Sequence, residues 1–493
     1  MKQRRMTVFL GWIGFTILAI SILIPLLNWL RPHKKEPASI LVHCAAGLRT
    51  PVDELAKQFQ AETGIEVLLQ FGGSQQLFAG ITTAKRGDLF IPGDDSYLAI
   101  AKERNALAET VALAQMKVVV AVKRGNPLKI ATVEDLLLAD VRVVLPDPDS
   151  AAVGKLARTA LGSQWGPLAK KALVMKPTVN EIANDLKLGS ADAGIVFDAV
   201  ASQYPELEIV PLPELATVTA KVAAGVLTAS TQPTSALRFA RFLAATDRGA
   251  KVFERHGYKP VGREAWATTP ELRLFAGAML RPAIERTLAD FQIREGVSVS
   301  TVYNGCGILV GQMKTGEKPD AYFACEASFM KDVKDIFLDA EDVSTNRLVI
   351  LVTKENPHAI KSLRDLAKPG VRLGVGHEKQ CALGALTKTT LLQDGTYEAV
   401  QKNVAVQSPT GDLLVNQLRS GSLDAVVAYI SNAVGSGDKL TAIAVDLPCA
   451  VAAQPIASSR ETKFPETSQR LIEALKSAGS RKRFEEQGFH WAK

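Results

Sequence analysis

From Ile40 onward, short apolar runs alternate with stretches in which apolar residues recur every three or four positions. The run ILVHCA (40–45) reads as a short buried strand. In the following PVDELAKQFQAE, the residues Val52, Leu55, Ala56 and Phe59 fall on one face of a helix. Gly64 ends that helix, and IEVLLQF forms the next strand. The alternation continues, which predicts βαβ units in a mainly parallel α/β sheet with helices on both faces. A long middle section is bracketed by VVVAVKRGNP (118–127) and AAGVLTAS (223–230). Two lobes joined by two crossing strands account for that bracketing. In open α/β sheets, ligands bind at the carboxyl ends of strands, where helix N-termini point.

The same pattern is written twice. SILVHCAAGLRTPVDELAKQFQAETGIEV, from Ser39, matches LRLFAGAMLRPAIERTLADFQIREGVSV, from Leu272. RGDLFIPGDDSYL corresponds to KPDAYFACEASFM, LKLGSADAGIVFDAV to LRSGSLDAVVAYISNAV, and FERHGY to FEEQGF. The matched pairs Phe59 and Phe291, Asp88 and Asp320, and Asp192 and Asp424 each stand 232 residues apart. That period is far longer than a solenoid repeat, so each copy is a module in its own right. The expected division is residues 1–36, then a module over 37–266 with its second lobe near 123–221, then a module over 267–493 with its second lobe near 354–447.

The first 36 residues differ in kind. MKQRR is basic, and the stretch from Val8 to Leu30 carries no charge and has Trp12 and Trp29 near its ends. About 20 apolar residues span a bilayer as a helix, and tryptophans favour its interfaces. A cleaved signal peptide would have a shorter apolar region and a small-residue cleavage site, which RPHKKEP (31–37) does not supply. The expectation is therefore one transmembrane anchor with both modules outside the cytoplasmic membrane. Across the 493 residues the apolar content of 47% supports sizeable cores. The net charge of +7 is spread among acidic residues rather than gathered on one face, which argues against nucleic-acid binding.

Enzyme motifs are missing: GxGxxG after a strand, GxxxxGK[ST] and HExxH do not occur. Asp94 and Asp95 in GDDSY, and Asp147 and Asp149 in LPDPDS, read as turn and cap residues. His256 reads as a helix-end cation. The five cysteines, Cys44, Cys306, Cys325, Cys381 and Cys449, include no CxxC pair. No nucleophile or acid–base pair stands out.

Each copy resembles the periplasmic molybdate-binding proteins of ABC importers, which belong to the type II periplasmic binding proteins. In the first copy the resemblance is carried by CAAGLRTPVDELAKQF, FGGSQQL, GDLFIPGDDSYL, DPDSAAVGKLA and ADAGIVFDAV. It implies a two-lobed clamp that closes on a tetrahedral oxyanion such as molybdate or tungstate and delivers it to a permease and an ATPase, with no cofactor and no catalysis. The implied first site comprises Ala46, Gly47, Gly73, Ser74, Val153, Val179 and Phe197. Gly47 stands where the family has a serine, Ser74 keeps the second serine, and Phe197 stands where the family has a tyrosine. Arg49, just past Gly47, is a candidate substitute donor, since a guanidinium binds oxyanions bidentately; Lys155 is a weaker one. The implied second site comprises Met279, Gly305, Cys306, Leu383, Gly411 and Tyr429. Under this alignment Cys306, Cys325 and Cys381 face the second cleft near Met279. They could be small buried apolar groups, a thiophilic metal site or a disulfide across the lobes. A different class of reading makes the altered modules interaction surfaces of a sensory or scaffold protein.

Overall fold

The computed structural model describes residues 39–434 and 439–492. The apolar segment from Val8 to Leu30 lies outside the described residues. Among the described residues no helix is long and apolar enough to cross a membrane.

The first module contains strands β1 (Ser39–Ala45), β2 (Glu66–Gly72), β3 (Leu89–Ile91), β4 (Leu107–Lys123), β5 (Val143–Pro146), β6 (Val174–Lys176), β7 (Ala193–Phe197), β8 (Leu207–Val210), β9 (Thr219–Leu227) and β10 (Lys259–Pro260). The second repeats them as β11 (Glu271–Gly277), β12 (Ser298–Asn304), β13 (Ala321–Phe323), β14 (Glu341–Thr353), β15 (Leu373–Gly376), β16 (Val404–Ser408), β17 (Ala425–Tyr429), β18 (Leu440–Ala444), β19 (Val451–Ser458) and β20 (His490–Trp491). The strand order β2-β1-β3-β9-β4-β7-β5-β6 recurs as β12-β11-β13-β19-β14-β17-β15-β16.

The long strand β4 builds both lobes. Up to Lys117 it pairs with β9, and from Val118 it pairs with β7 and β8. β14 does the same, leaving β19 at Arg347 and taking up β17 at Leu348. The change of partner falls a few residues before the expected lobe boundary at 123. Val118–Val122 is buried on both faces, as in a strand covered by helices on either side. The sheets are mixed rather than mainly parallel. β1 runs parallel to β2 and β3, and β5 to β6 and β7, but β4 and β9 run antiparallel to each other and to their neighbours. A chain that crosses from one lobe to the other and returns must pair its two crossings in opposite directions.

Helix α1 (Arg49–Thr63) buries the predicted face of Val52, Leu55, Ala56 and Phe59. The Phe59 ring meets Phe239 at 5.0 Å and Phe242 at 5.4 Å, an aromatic cluster that fixes the helix on its sheet. Gly64 closes the helix at φ 74°, a backbone angle that favours glycine. The matched aspartates are structural in both copies. Asp192 accepts from the Arg142 side chain at 2.7 and 3.0 Å, and Asp424 from Arg372 at 2.8 and 3.1 Å. Asp88 accepts the Leu41 N–H and the Ser230 hydroxyl.

The modules also touch. Arg294 forks onto Glu109 with two bonds of 2.7 Å, and Glu264 accepts the Thr467 hydroxyl at 2.9 Å. Near this seam Arg470 pairs with the buried Glu295 at 2.9 and 3.2 Å. Arg241 is buried beside them, and none of its guanidinium nitrogens has a hydrogen-bond partner.

Candidate functional site

Four helices begin at the cleft of the first module: α1, α2 (Ser74–Ala84), α3 (Ala152–Leu161) and α4 (Val179–Leu188), with a 3₁₀ turn at Ala46–Leu48 leading into α1. The turn, α2 and α3 start at Ala45, Gly73 and Ala151, none of which offers a side-chain cap. Their first N–H groups therefore lack the partner that a Ser, Thr, Asp or Asn would give. Only α4 is capped, by the Thr178 hydroxyl accepting the Glu181 N–H. The pattern T-x-x-E ahead of an apolar helix was readable from the sequence.

These starts surround a cavity of about 20 Å³, more than the 10–15 Å³ or so that one water requires. Of the expected residues, Ala46, Gly47, Gly73, Ser74, Val153, Val179 and Phe197 line it together. Arg49 does not. It is exposed, and its guanidinium lies 4.3 Å from the centre of the Phe71 ring, a cation–π contact outside the cavity. Lys155 likewise sits over Tyr97 and donates to Ser96. No charged side chain lines the chamber. The sequence reading missed Gly93 and Met116, which also line it, along with neighbours of the expected residues such as Ala45, Ala152 and Thr178. Met116 comes from the crossing strand β4, whose residues give no local sign of facing a cleft.

Ser74 is buried, and its Oγ accepts the Gly93 N–H at 3.1 Å, which leaves the hydroxyl proton free to donate. Tyr258 donates its hydroxyl to the Gly47 carbonyl and so fixes the 3₁₀ turn. The lobes are shut on each other: the Gln75 N–H donates to Ser150 O at 3.2 Å across the cleft. Gly73 makes that approach feasible, because a Cβ there would lie 2.8 Å from Ser150 O and 2.9 Å from Pro177 O. Asp94 and Asp147 serve the loops around the cavity, accepting the N–H groups of Ser96 and Asp149.

The second cleft has the same frame, with α5 (Arg281–Glu295), α6 (Cys306–Lys314), α7 (Ala382–Gln393) and α8 (Gly411–Arg419) in place of α1–α4. It too is shut, since Gly307 and Ile308 donate to Gln380 O at 3.0 and 3.3 Å. A Cβ on Gly305 would lie 2.5 Å from that same oxygen. Met279, Cys306, Leu383 and Tyr429 are all buried there. The Tyr429 hydroxyl is buried without a hydrogen-bond partner, and burial pushes its pKa well up. Cys306 and Cys325 stand with their sulfurs 2.7 Å apart. Burial disfavours charge on Cys306, but the adjacent Cys325 thiol and the Cys325 N–H that Cys306 accepts outweigh it. Cys306 is the more acidic partner; Cys325 is pushed up by the same hydrogen bond and by burial.

One expectation about the cysteines changes. Cys306 and Cys325 belong to one lobe, so their pairing does not bridge the cleft. Cys381, on the other lobe, points its thiol at Ser408 O (3.4 Å) and His377 O (3.6 Å) and is pushed up to about 11 by burial. Among the described residues no group of three or more His, Cys, Asp or Glu side chains is placed to hold a metal ion.

Two lobes on crossing strands, shut in the first module over a chamber of helix starts without charged side chains, define a solute-binding clamp whose frame is present twice in one chain. The sequence matches the model for bacterial extracellular solute-binding proteins over residues 40–259 and again over 272–490, and the chain belongs to that family. It is 28% identical over 228 residues to a binding protein of Haemophilus influenzae, covering 46% of this chain and 92% of that protein. It is also 28% identical over 226 residues to a molybdate-binding protein of Mycobacterium tuberculosis, covering 45% and 84%. Among solved structures, the periplasmic molybdate-binding protein of Azotobacter vinelandii is 18% identical, covers 44% of this chain and 98% of its own, and superposes with a TM-score of 0.38.

Proposed function

We propose that the first module captures a small tetrahedral oxyanion, molybdate or a relative of it, outside the cytoplasmic membrane. The observation that carries this reading is the meeting of three uncapped helix starts and the free Ser74 hydroxyl around one chamber without charged side chains. Neutral N–H and O–H donors at positive dipole ends hold a dianion without competing for protons. The cavity of about 20 Å³ is small, suited to one compact ion rather than to an extended ligand. The molybdate-binding relatives agree with that ligand class. Two lobes hinged on β4 and β9 would open and close around it.

In this reading the chain is the receptor of an ABC-type importer and hands the ion to a permease and its ATPase. The segment from Val8 to Leu30 would tether both modules to the membrane that holds those partners, raising their local concentration. The second module replaces the Ser74 hydroxyl with the Cys306 thiol and carries the buried Tyr429 hydroxyl where the first has Phe197, so its donor set differs from that of the first.

Thermal unfolding of the full chain with molybdate, tungstate, sulfate and phosphate tests the proposal. A ligand at a thousandfold excess over its dissociation constant adds about 4 kcal/mol of stability to the module that binds it. No shift with any of the four ions would overturn the oxyanion reading.

A further inference from the structure

The wall of the second cleft is a repacked copy of the first in which sulfur enters opposite two new glycines, Gly277 and Gly411. In the first module Ala45 faces Gly93, and a Cβ on Gly93 would lie 3.7 Å from the Ala45 Cβ. At the matching positions the second module has Gly277 and Cys325, and a Cβ on Gly277 would lie 2.0 Å from Cys325 Sγ. The glycine is what admits the thiol. A second exchange follows the same rule. Gly47 faces Val179, with 3.0 Å between an added Cβ and Val179 Cγ2, and these become Met279 and Gly411. Each exchange adds a single side-chain heavy atom, because a new glycine opposite the sulfur offsets most of the added volume.

The thiol admitted in this way reaches one other group. Cys306 occupies the position of Ser74 and keeps its backbone bond, accepting the Cys325 N–H at 3.1 Å. The two sulfurs lie 2.7 Å apart, well inside the roughly 3.5–4.0 Å at which non-bonded heavy atoms rest. Cys381 is engaged with carbonyls of its own lobe. We propose that Cys306 and Cys325 form a reversible disulfide, a redox modification site on one wall of the second cleft. Its reaction partner is a disulfide-bearing protein or small molecule.

The exchange balances without another reagent. The Cys306 thiolate attacks one sulfur of the external disulfide, which expels a thiolate that takes up a proton. The Cys325 thiolate then attacks the Cys306 sulfur of the mixed disulfide, forms the internal S–S bond and expels the second thiolate, which is also protonated. The two cysteines lose two electrons and two protons, and the external disulfide gains them as two thiols. Cys306 is the attacking sulfur, since it starts a helix and accepts the Cys325 N–H, both of which favour its thiolate. Both sulfurs are buried behind the bonds from Gly307 and Ile308 to Gln380, so the reaction depends on opening of the second cleft.

The test treats the reduced full chain with oxidised glutathione, alkylates the remaining thiols and maps the peptides by mass. Peptides carrying Cys306 and Cys325 should be joined and two hydrogens lighter, with dithiothreitol restoring both thiols and with Cys381 and Cys449 alkylated throughout. Cys306→Ser and Cys325→Ser should each abolish the link, and Cys381→Ser should leave it intact. To separate an unreactive pair from a shut cleft, the chain is also refolded from urea in a glutathione redox buffer. Free thiols at 306 and 325 after refolding, a stable glutathione adduct on Cys306, or a link to Cys381 would each overturn the proposal. So would silver(I) bound at one equivalent and lost in Cys381→Ser, which would make the cluster a metal site instead.

Discussion

The Gly93 N–H donates to Ser74 Oγ at 3.1 Å, and this one bond ties the start of a helix to the loop after a strand on the wall of the first chamber. The second module keeps the relationship between Cys325 and Cys306 at the same distance, although both residues have changed identity. The backbone frame of the site is therefore duplicated, and the chemistry hung on it has diverged. Ser74 keeps a free hydroxyl proton on the chamber wall, whereas Cys306 sets a sulfur against a neighbouring thiol.

Gly73 is the tightest point of lobe closure, which makes it a test of whether closing and binding are one event. In Gly73→Ala the new methyl would press on the carbonyls of Ser150 and Pro177, both on the opposite lobe. The lobes themselves do not depend on that contact. The variant should unfold as cooperatively as the parent, scatter X-rays as a more extended particle, and bind molybdate about tenfold or more weakly. Parental affinity in calorimetry would mean that the ligand does not need a shut cleft.

Gly47 stands where the family places a serine, and the structure shows what its return would require. A Cβ there would lie 3.0 Å from Val179 Cγ2, so Gly47→Ser alone crowds the chamber. Gly47→Ser with Val179→Ala restores the hydroxyl and removes the obstruction. A hydrogen bond to a charged group contributes about 1.5–3 kcal/mol, so the double variant should hold molybdate roughly tenfold to a hundredfold more tightly than the parent. Titration calorimetry of both variants decides it. If the double variant gains nothing, this position does not contact the ligand.

The architecture was legible because it was written twice. The face of α1, the helix stop at Gly64 and the pairing of Asp192 with Asp424 all follow from periodicity and a constant offset. Strand direction was not legible, since an apolar run looks the same whichever way its neighbour lies; hence the mixed sheets. Arg49 misled because a residue in the first turn of a helix can reach either the cleft or the next strand, and the Phe71 ring on β2 took it. The seam between modules left no local mark, because Glu109, Arg294, Glu264 and Thr467 come together only through the fold. Cys306 and Cys325, 19 residues apart, match no short cysteine motif.

Two buried arginines near that seam should respond oppositely to the same substitution. Arg470 neutralises Glu295, which is almost wholly buried, through two hydrogen bonds. Arg470→Met would strand that carboxylate and should cost about 3–5 kcal/mol. Arg241 has no hydrogen-bond partner, and burial lowers its pKa to about 10 in spite of Glu295 nearby. Arg241→Met keeps most of the packing and removes an uncompensated charge, so it should change stability by less than about 1 kcal/mol or raise it. Urea unfolding at constant slope gives both values. Equal losses in the two variants would show that Arg241 holds the carboxylates as firmly as Arg470 does.

His43 makes the first module sensitive to mild acid. Its ring is buried on β1, and desolvation lowers its pKa below the ordinary value of 6.5 even though the Arg86 carbonyl and Asp88 oppose the shift. A depressed histidine pKa means that the unfolded chain takes up the proton first. The neutral ring's contribution is therefore complete above about pH 6.5 and is lost as the pH falls below it. His43→Gln removes the titration at that site. Melting temperatures from pH 8 to pH 5 should run parallel for parent and variant above pH 6.5 and then converge or cross, with the parent falling faster. Parallel curves down to pH 5 would mean that the folded module accommodates the charged imidazole as readily as the unfolded chain does.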